Sequence, residues 1–265
     1  MYNYYFSHGR TALLNGIKLY NFSSKDAVLI PDYLCEIVEV TLKSLNLKII
    51  KYEIKDDFTI NMKSLKSKLK FNNIKALIVV NYFGFPQKIN TIKKICKKYK
   101  ILIIEDNSHG HGGIIENKLL GTRGDFGFSS PRKVLKIYSG GTLYYDKKIK
   151  FRLTKYRHTI KSILVRFISK NLFLKLFIKK NLLFKTDYSN PYMKRDNVIY
   201  NMNIDNFSLS KINKLNIKNE KSVRFINYMI WKKFLKESNI KPIFKKVNKD
   251  LMVWCLPFYV KNSNE

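Results

Sequence analysis

Residues 74–110 read "IKALIVVNYFGFPQKINTIKKICKKYKILIIEDNSHG", and the change of hydrophobic period within this stretch decides the fold. Ile74 to Val80 form an apolar run almost without alternation, the pattern of a strand buried on both faces. Past Gly84 and Pro86 the period lengthens, so that Ile89, Ile92, Ile95 and Cys96 fall on one side of a helix and lysines on the other. "ILIIED" then returns to the buried-strand pattern and ends on the acidic pair Glu105–Asp106. Two buried strands joined by an amphipathic helix predict a parallel pair whose connection covers the sheet.

The same alternation extends upstream. "DAVLIP" at 26–31 is a short apolar run stopped by proline, "LCEIVEVTLKSLN" has helical spacing, and "LKIIKYEI" reads as another strand. The expected fold class is therefore α/β, a mainly parallel sheet with helices on both faces. In such sheets ligands sit at the carboxyl ends of strands, where Asp106 falls.

Downstream of "GGTLYYD" the character changes. Residues 151–185 are basic and apolar with helical spacing, 186–215 are polar and loop-like, 220–238 read as one long helix, and "LMVWCLPFYV" reads as a closing strand. This predicts a large domain over 1–150 and a smaller α+β portion over 151–265.

With 265 residues, 45% of them hydrophobic, the chain can bury a substantial core. Its formal net charge of +32 is spread along the whole length and accompanied by many Asn and Ile residues. That spread gives no localised nucleic-acid footprint, and no nucleic-acid partner is expected. Cys35, Cys96 and Cys255 lie far apart, without metal-ligand spacing, which fits a reducing compartment. The start lacks the form of a signal peptide, and no apolar run approaches the roughly 18 residues needed to span a bilayer. A cytoplasmic protein is expected.

Three places carry candidate chemistry. In "SHGRTAL", residues 7–13, a glycine leads into a helix, and backbone N–H groups there together with Arg10 and the Thr11 hydroxyl suit a phosphate. In "IIEDNSHGHGG", Asp106 with His109 and His111 suits a metal, an acid–base pair or a cofactor clamp. In "SSPRKVLKIYSGG", residues 129–141, Lys133 lies between Arg132 and Lys136. Neighbouring cations and partial burial would lower its pKa toward the range where an amine forms Schiff bases. A phosphate cradle, an aspartate and an amine together are what pyridoxal phosphate requires.

In order along the chain, "GRTAL", "KDAVLIPDYLCE", "NYFGFPQ", "IIEDNSHG", "LGTRGDFGFSS" and "RKVLKIYSGG" resemble the DegT/DnrJ/EryC1/StrS aminotransferases, sugar aminotransferases of the pyridoxal phosphate fold type I group. The likeness covers about residues 5–150. It implies a fold type I large domain, a smaller and incomplete C-terminal domain, and pyridoxal 5'-phosphate as cofactor. Asp106 is implied to pair with the ring nitrogen, His109 to lie near the ring and its phenolic oxygen, and Lys133 to be the Schiff-base lysine and proton carrier. Ser130 is implied to hold the phosphate from one side and Gly9, Arg10 and Thr11 from the other. Cys35 falls where relatives place an aromatic residue, so Tyr33 is assigned that packing.

The implied reaction converts a keto group of a nucleotide-linked sugar to an amine for surface polysaccharide synthesis, with glutamate as donor, in a homodimer. The chain begins close to "GRTAL" and stops soon after "LMVWCLPFYV", an arrangement shortened at both ends relative to the family. Two other readings stand beside this one. The first is a shortened relative that binds cofactor without transamination. The second is a basic protein docking on anionic membrane through Ile160, Ile163, Leu164, Phe167 and Ile168, a contact that an aminotransferase could also make.

Overall fold

The computed structural model describes residues 1–156 and 201–260. Its elements run β1 (Tyr2–Phe6), α1 (Gly9–Ile17), β2 (Ala27–Pro31), α2 (Glu36–Lys43), β3 (Lys48–Tyr52), α3 (Met62–Lys68), β4 (Ile74–Val80), α4 (Ile89–Lys98) and β5 (Leu102–Asn107). Then follow the short pair β6 (Ile114–Ile115) and β7 (Lys118–Leu119), then β8 (Phe126–Ser129), β9 (Gly141–Tyr145), α5 (Asn206–Asn213) and α6 (Ile217–Glu237).

Seven strands form one sheet in the order β1-β9-β8-β5-β4-β2-β3. The pairs β2/β3, β2/β4, β4/β5 and β5/β8 are parallel, while β8/β9 and β1/β9 are antiparallel. The α/β architecture is thus the expected one.

The unbroken apolar runs follow from the pleat. Successive side chains point to opposite faces, and both faces here are covered. Val28, Ile30, Ala76, Ile78 and Ile104 join one core with Leu13 and Ile17 of α1 and Leu42 of α2. Leu29, Leu77, Val79 and Ile103 join the other with Leu65 of α3 and with Ile89, Ile92 and Cys96 of α4. A third cluster, Phe85, Leu120, Tyr228, Leu251 and Val253, ties α6 and the closing segment to the loop after β4.

Two expectations for the later residues meet a different structure. The stretch read as loop over 186–215 contains α5, whose Asp205 side chain caps it by accepting the Ser208 N–H. "LMVWCLPFYV" forms no strand and joins no sheet, with a single bridge between Pro242 and Phe258. The apolar pattern proposed for membrane docking, Ile160 to Ile168, lies outside the described residues. Among the described residues no helix is long and apolar enough to cross a membrane.

Candidate cofactor site

The site lies where the carboxyl ends of β4, β5 and β8 meet the start of α1. Val80 pairs with Asp106, and Asp106 with Phe128, so the three strands finish level with one another. Past β8 the chain turns through Ser130 into a single 3-10 turn, Pro131–Lys133, closed by the Lys133 N–H donating to Ser130 O at 3.0 Å. On the other side, His8 bridges Gly140 and brings Gly9 beside Ser130. A Cβ built on Gly9 would meet Ser129 O and Ser130 Cβ at 3.7 Å, ordinary contact. Nothing in the protein's own packing therefore demands glycine there. A bare backbone at a helix start, next to a serine, is a cradle that a side chain would begin to fill.

Asp106 is buried, with 4% of its surface exposed. Its Oδ1 accepts the Ser108 N–H at 2.8 Å. Burial raises its pKa, while the Ser108 hydrogen bonds and the Lys133 charge pull the other way. A buried carboxylate disfavoured in this way is completed by a cationic partner. Glu105, one residue earlier, faces the opposite side of the sheet. It is fully buried and paired with Arg123 at 2.6 Å. The Asn81 amide donates to the same carboxylate oxygen at 2.8 Å.

Lys133 is partly buried and its pKa is lowered. Of the two causes expected from the sequence, burial holds and the neighbouring cations do not. Burial depresses it, whereas the groups whose charges reach it, Asp106 and Cys35, act to raise it. Arg132 and Lys136 are exposed, and the charge of Arg132 acts instead on His8, adding to burial in holding that imidazole near 3. Lys133 Nζ lies over the Trp254 ring, 4.9 Å from its centroid.

The Phe83 N–H donates to His109 Nδ1 at 3.0 Å. Burial and then the Lys133 charge lower the His109 pKa to about 3, so a neutral ring keeps its proton on Nε2. His109 lies 4.4 Å from the Trp254 ring and 5.7 Å from the Phe83 ring, centroid to centroid. His111 is buried behind the site, its Nδ1 2.8 Å from Ser129 Oγ and 3.2 Å from the Tyr144 hydroxyl. Among the described residues no group of three His, Cys, Asp or Glu side chains is arranged to hold a metal.

Gly9, Asp106, His109, Ser130 and Lys133 are thus brought to one edge of the sheet, and Arg10 follows Gly9 in the first turn of α1. Thr11 is fully buried, its hydroxyl 3.3 Å from Ser7 Oγ and its N–H donating to His8 O. The exposed Tyr33 ring packs against Phe58 and Tyr82, at 5.5 and 5.9 Å, while Cys35 is the residue close to Lys133. Trp254 and Phe83 were not singled out from the sequence. Trp254 is 121 positions from Lys133, and only its aromatic character was visible there.

Residues 4–159 match the DegT/DnrJ/EryC1/StrS aminotransferase family. The dTDP-3-amino-3,6-dideoxy-alpha-D-galactopyranose transaminase of Aneurinibacillus thermoaerophilus is 31% identical over 127 residues, covering 46% of this chain and 34% of the relative. A UDP-4-amino-4,6-dideoxy-N-acetyl-beta-L-altrosamine transaminase of Campylobacter jejuni is 31% identical over 100 residues, covering 36% of this chain and 27% of the relative. The chain therefore spans about a third of the length of these curated relatives. In fold it resembles an E. coli GDP-4-keto-6-deoxy-D-mannose-3-dehydratase solved with bound hydrated PLP, at a TM-score of 0.66 and 18% identity, over 99% of this chain and 68% of that one.

Proposed function

The chain belongs to the DegT/DnrJ/EryC1/StrS aminotransferase family, and from that premise we propose that it is a pyridoxal phosphate-dependent aminotransferase acting on a keto group of a nucleotide-linked sugar. One observation carries the reading. The fold brings a buried carboxylate, a lysine of lowered pKa and the Gly9–Ser130 contact at the start of α1 to the same end of the sheet.

These residues fit the cofactor. When bound, pyridoxal phosphate supplies an aldehyde for an amine and an electron-withdrawing ring. Asp106 would hold the ring nitrogen's proton, since its buried carboxylate gains most from a cationic partner. Gly9, Arg10 and Ser130, with the start of α1, would bind the phosphate, and Thr11 fixes that turn from within. His109, neutral and oriented by the Phe83 N–H, would present Nε2–H toward the ring's phenolic oxygen. Tyr33 would contribute from the end of β2. Burial keeps more of Lys133 in the free-base form, so Nζ can accept and return the proton moved during amino transfer.

The two relatives are named for amino-sugar nucleotides, and that naming supports the sugar as substrate class. We assign glutamate as amino donor, a homodimer as the working unit, the cytoplasm as its place and surface polysaccharide synthesis as its role. The test is to incubate the protein with pyridoxal phosphate, glutamate and UDP- or dTDP-linked 4-keto sugars, and to follow the acceptor by mass spectrometry. Gain of an amine that is lost in Lys133→Ala supports the reading. Turnover surviving Lys133→Ala contradicts it.

A further inference from the structure

The closing segment is seated in a slot shaped for it. Gly84 has φ +89°, and a Cβ there would stand 2.2 Å from Met252 O. A Cβ on Gly113 would stand 2.9 Å from Met252 N. Neither position admits a side chain while residue 252 keeps its place. The backbone is tied on both sides of that point. The Ile114 N–H donates to Asp250 O at 2.8 Å, and the Trp254 N–H to Phe83 O at 2.9 Å. Arg224 of α6 donates to Val253 O at 3.1 Å and to Val134 O at 3.3 Å, joining the segment to the turn that carries Lys133. Leu251, Met252 and Val253 are all buried. The next residue, Trp254, is 40% exposed and rests on His109 with the Lys133 amine over its ring.

An atom that exchanges a proton with Lys133 Nζ must approach to about 3 Å. An indole is broad enough that a six-membered ring held at that distance also lies against it. Trp254, which is 40% exposed, therefore lies beside whatever reacts at Lys133. A pyranose offers a face of C–H groups, which an aromatic ring binds by dispersion and electrostatics. We propose that Trp254 is a substrate-binding residue of this site, the platform on which the acceptor's sugar ring lies while its keto carbon is held at Lys133. This rests on the amino-transfer reading, and it assigns specificity to a residue outside the segment that matches the family.

Trp231 and Trp254 are the two tryptophans of the chain. A Trp231→Phe protein, reconstituted with pyridoxal phosphate, thus reports Trp254 alone by fluorescence. UDP-N-acetylglucosamine and dTDP-glucose serve as unreactive probes, with UDP and dTDP as sugarless controls. The expected result is a change in Trp254 emission with a sugar nucleotide and not with its nucleotide alone. In a Trp254→Ala protein, isothermal titration should show sugar-nucleotide affinity at least tenfold lower and nucleotide affinity within twofold, with Trp254→Phe recovering most of the loss. Emission indifferent to both sugar nucleotides, or equal loss for nucleotide and sugar nucleotide, overturns the proposal. Absorption of the same samples separates the two claims. A Lys133-dependent visible band with an indifferent Trp254 removes the platform and keeps the amino-transfer reading. No band removes that reading, whatever Trp254 does.

Discussion

The Glu105 carboxylate and the Arg123 guanidinium form an ion pair 2.6 Å apart, with Glu105 fully buried and Arg123 nearly so. Arg123 also donates its backbone N–H to the second carboxylate oxygen at 2.7 Å. Truncating one partner leaves the other charge buried and unpaired, which costs about 3–5 kcal/mol. Arg123→Ala should accordingly lower Tm by on the order of 10 °C. Arg123→Met with Glu105→Gln should lower it by less, because neither charge is then stranded. Thermal unfolding of the three proteins checks this, and equal losses would place the stabilisation elsewhere.

Asp106 should show the reverse. Its folded pKa is raised, so stability present in acid, below the ordinary carboxylate pKa, is lost as pH rises through the folded pKa. Asp106→Asn removes that loss and keeps an oxygen for the Ser108 N–H. Without cofactor, its Tm at pH 7 should exceed that of the natural protein, and the difference should shrink in acid. Amino transfer should fall at least ~100-fold. A lower Tm at neutral pH would show that the carboxylate serves the fold rather than a ligand.

His111 adds to an acid limit that His8 and His109 also set. Burial lowers the His111 pKa to about 4 against 6.5 for a free histidine. Between those values the unfolded chain binds a proton that the folded chain does not. Stability is unaffected above pH 6.5 and declines from there toward pH 4, by about 1.4 kcal/mol per pH unit for this one group. His111→Asn, which can still bond Ser129 or Tyr144, should flatten that slope in urea unfolding measured at several pH values. An unchanged slope would assign the acid sensitivity to other groups.

Gly84→Ala tests the slot. Its Cβ would collide with Met252 O in a backbone conformation that alanine rarely adopts. The expected result is displacement of residues 250–254, read as a red shift of Trp254 emission in the Trp231→Phe background and faster proteolysis there. The sheet should keep its far-ultraviolet circular dichroism. Unaltered emission would mean that the segment is held independently of Gly84.

The sheet's centre was legible because β2, β4 and β5 are short apolar runs whose two faces both meet helices, a pattern with few other solutions. The strands on the β1 side of the sheet were harder to read. β1, "YNYYF", mixes polar and aromatic residues, and β8 spans only Phe126–Ser129. Asp106 and Lys133 stood out because a strand end and a glycine pair frame them. Burial, expected as one cause of Lys133's lowered pKa, holds; the other, the charge of neighbouring Arg132 and Lys136, does not, because their side chains turn out to be exposed, which depends on packing rather than on sequence spacing. "LMVWCLPFYV" has strand-like composition, but its Trp254 N–H donates to Phe83 O and its Val253 carbonyl accepts from Arg224 instead of from a neighbouring strand. Partners so distant in sequence leave no local signal.

The most direct test of the central claim is a visible absorption spectrum of the protein with pyridoxal phosphate, beside Lys133→Ala, before and after glutamate is added. The account predicts a yellow band that requires Lys133 and bleaches with glutamate. A spectrum the same in both proteins, or a Lys133-dependent band that no amino donor bleaches, would contradict it.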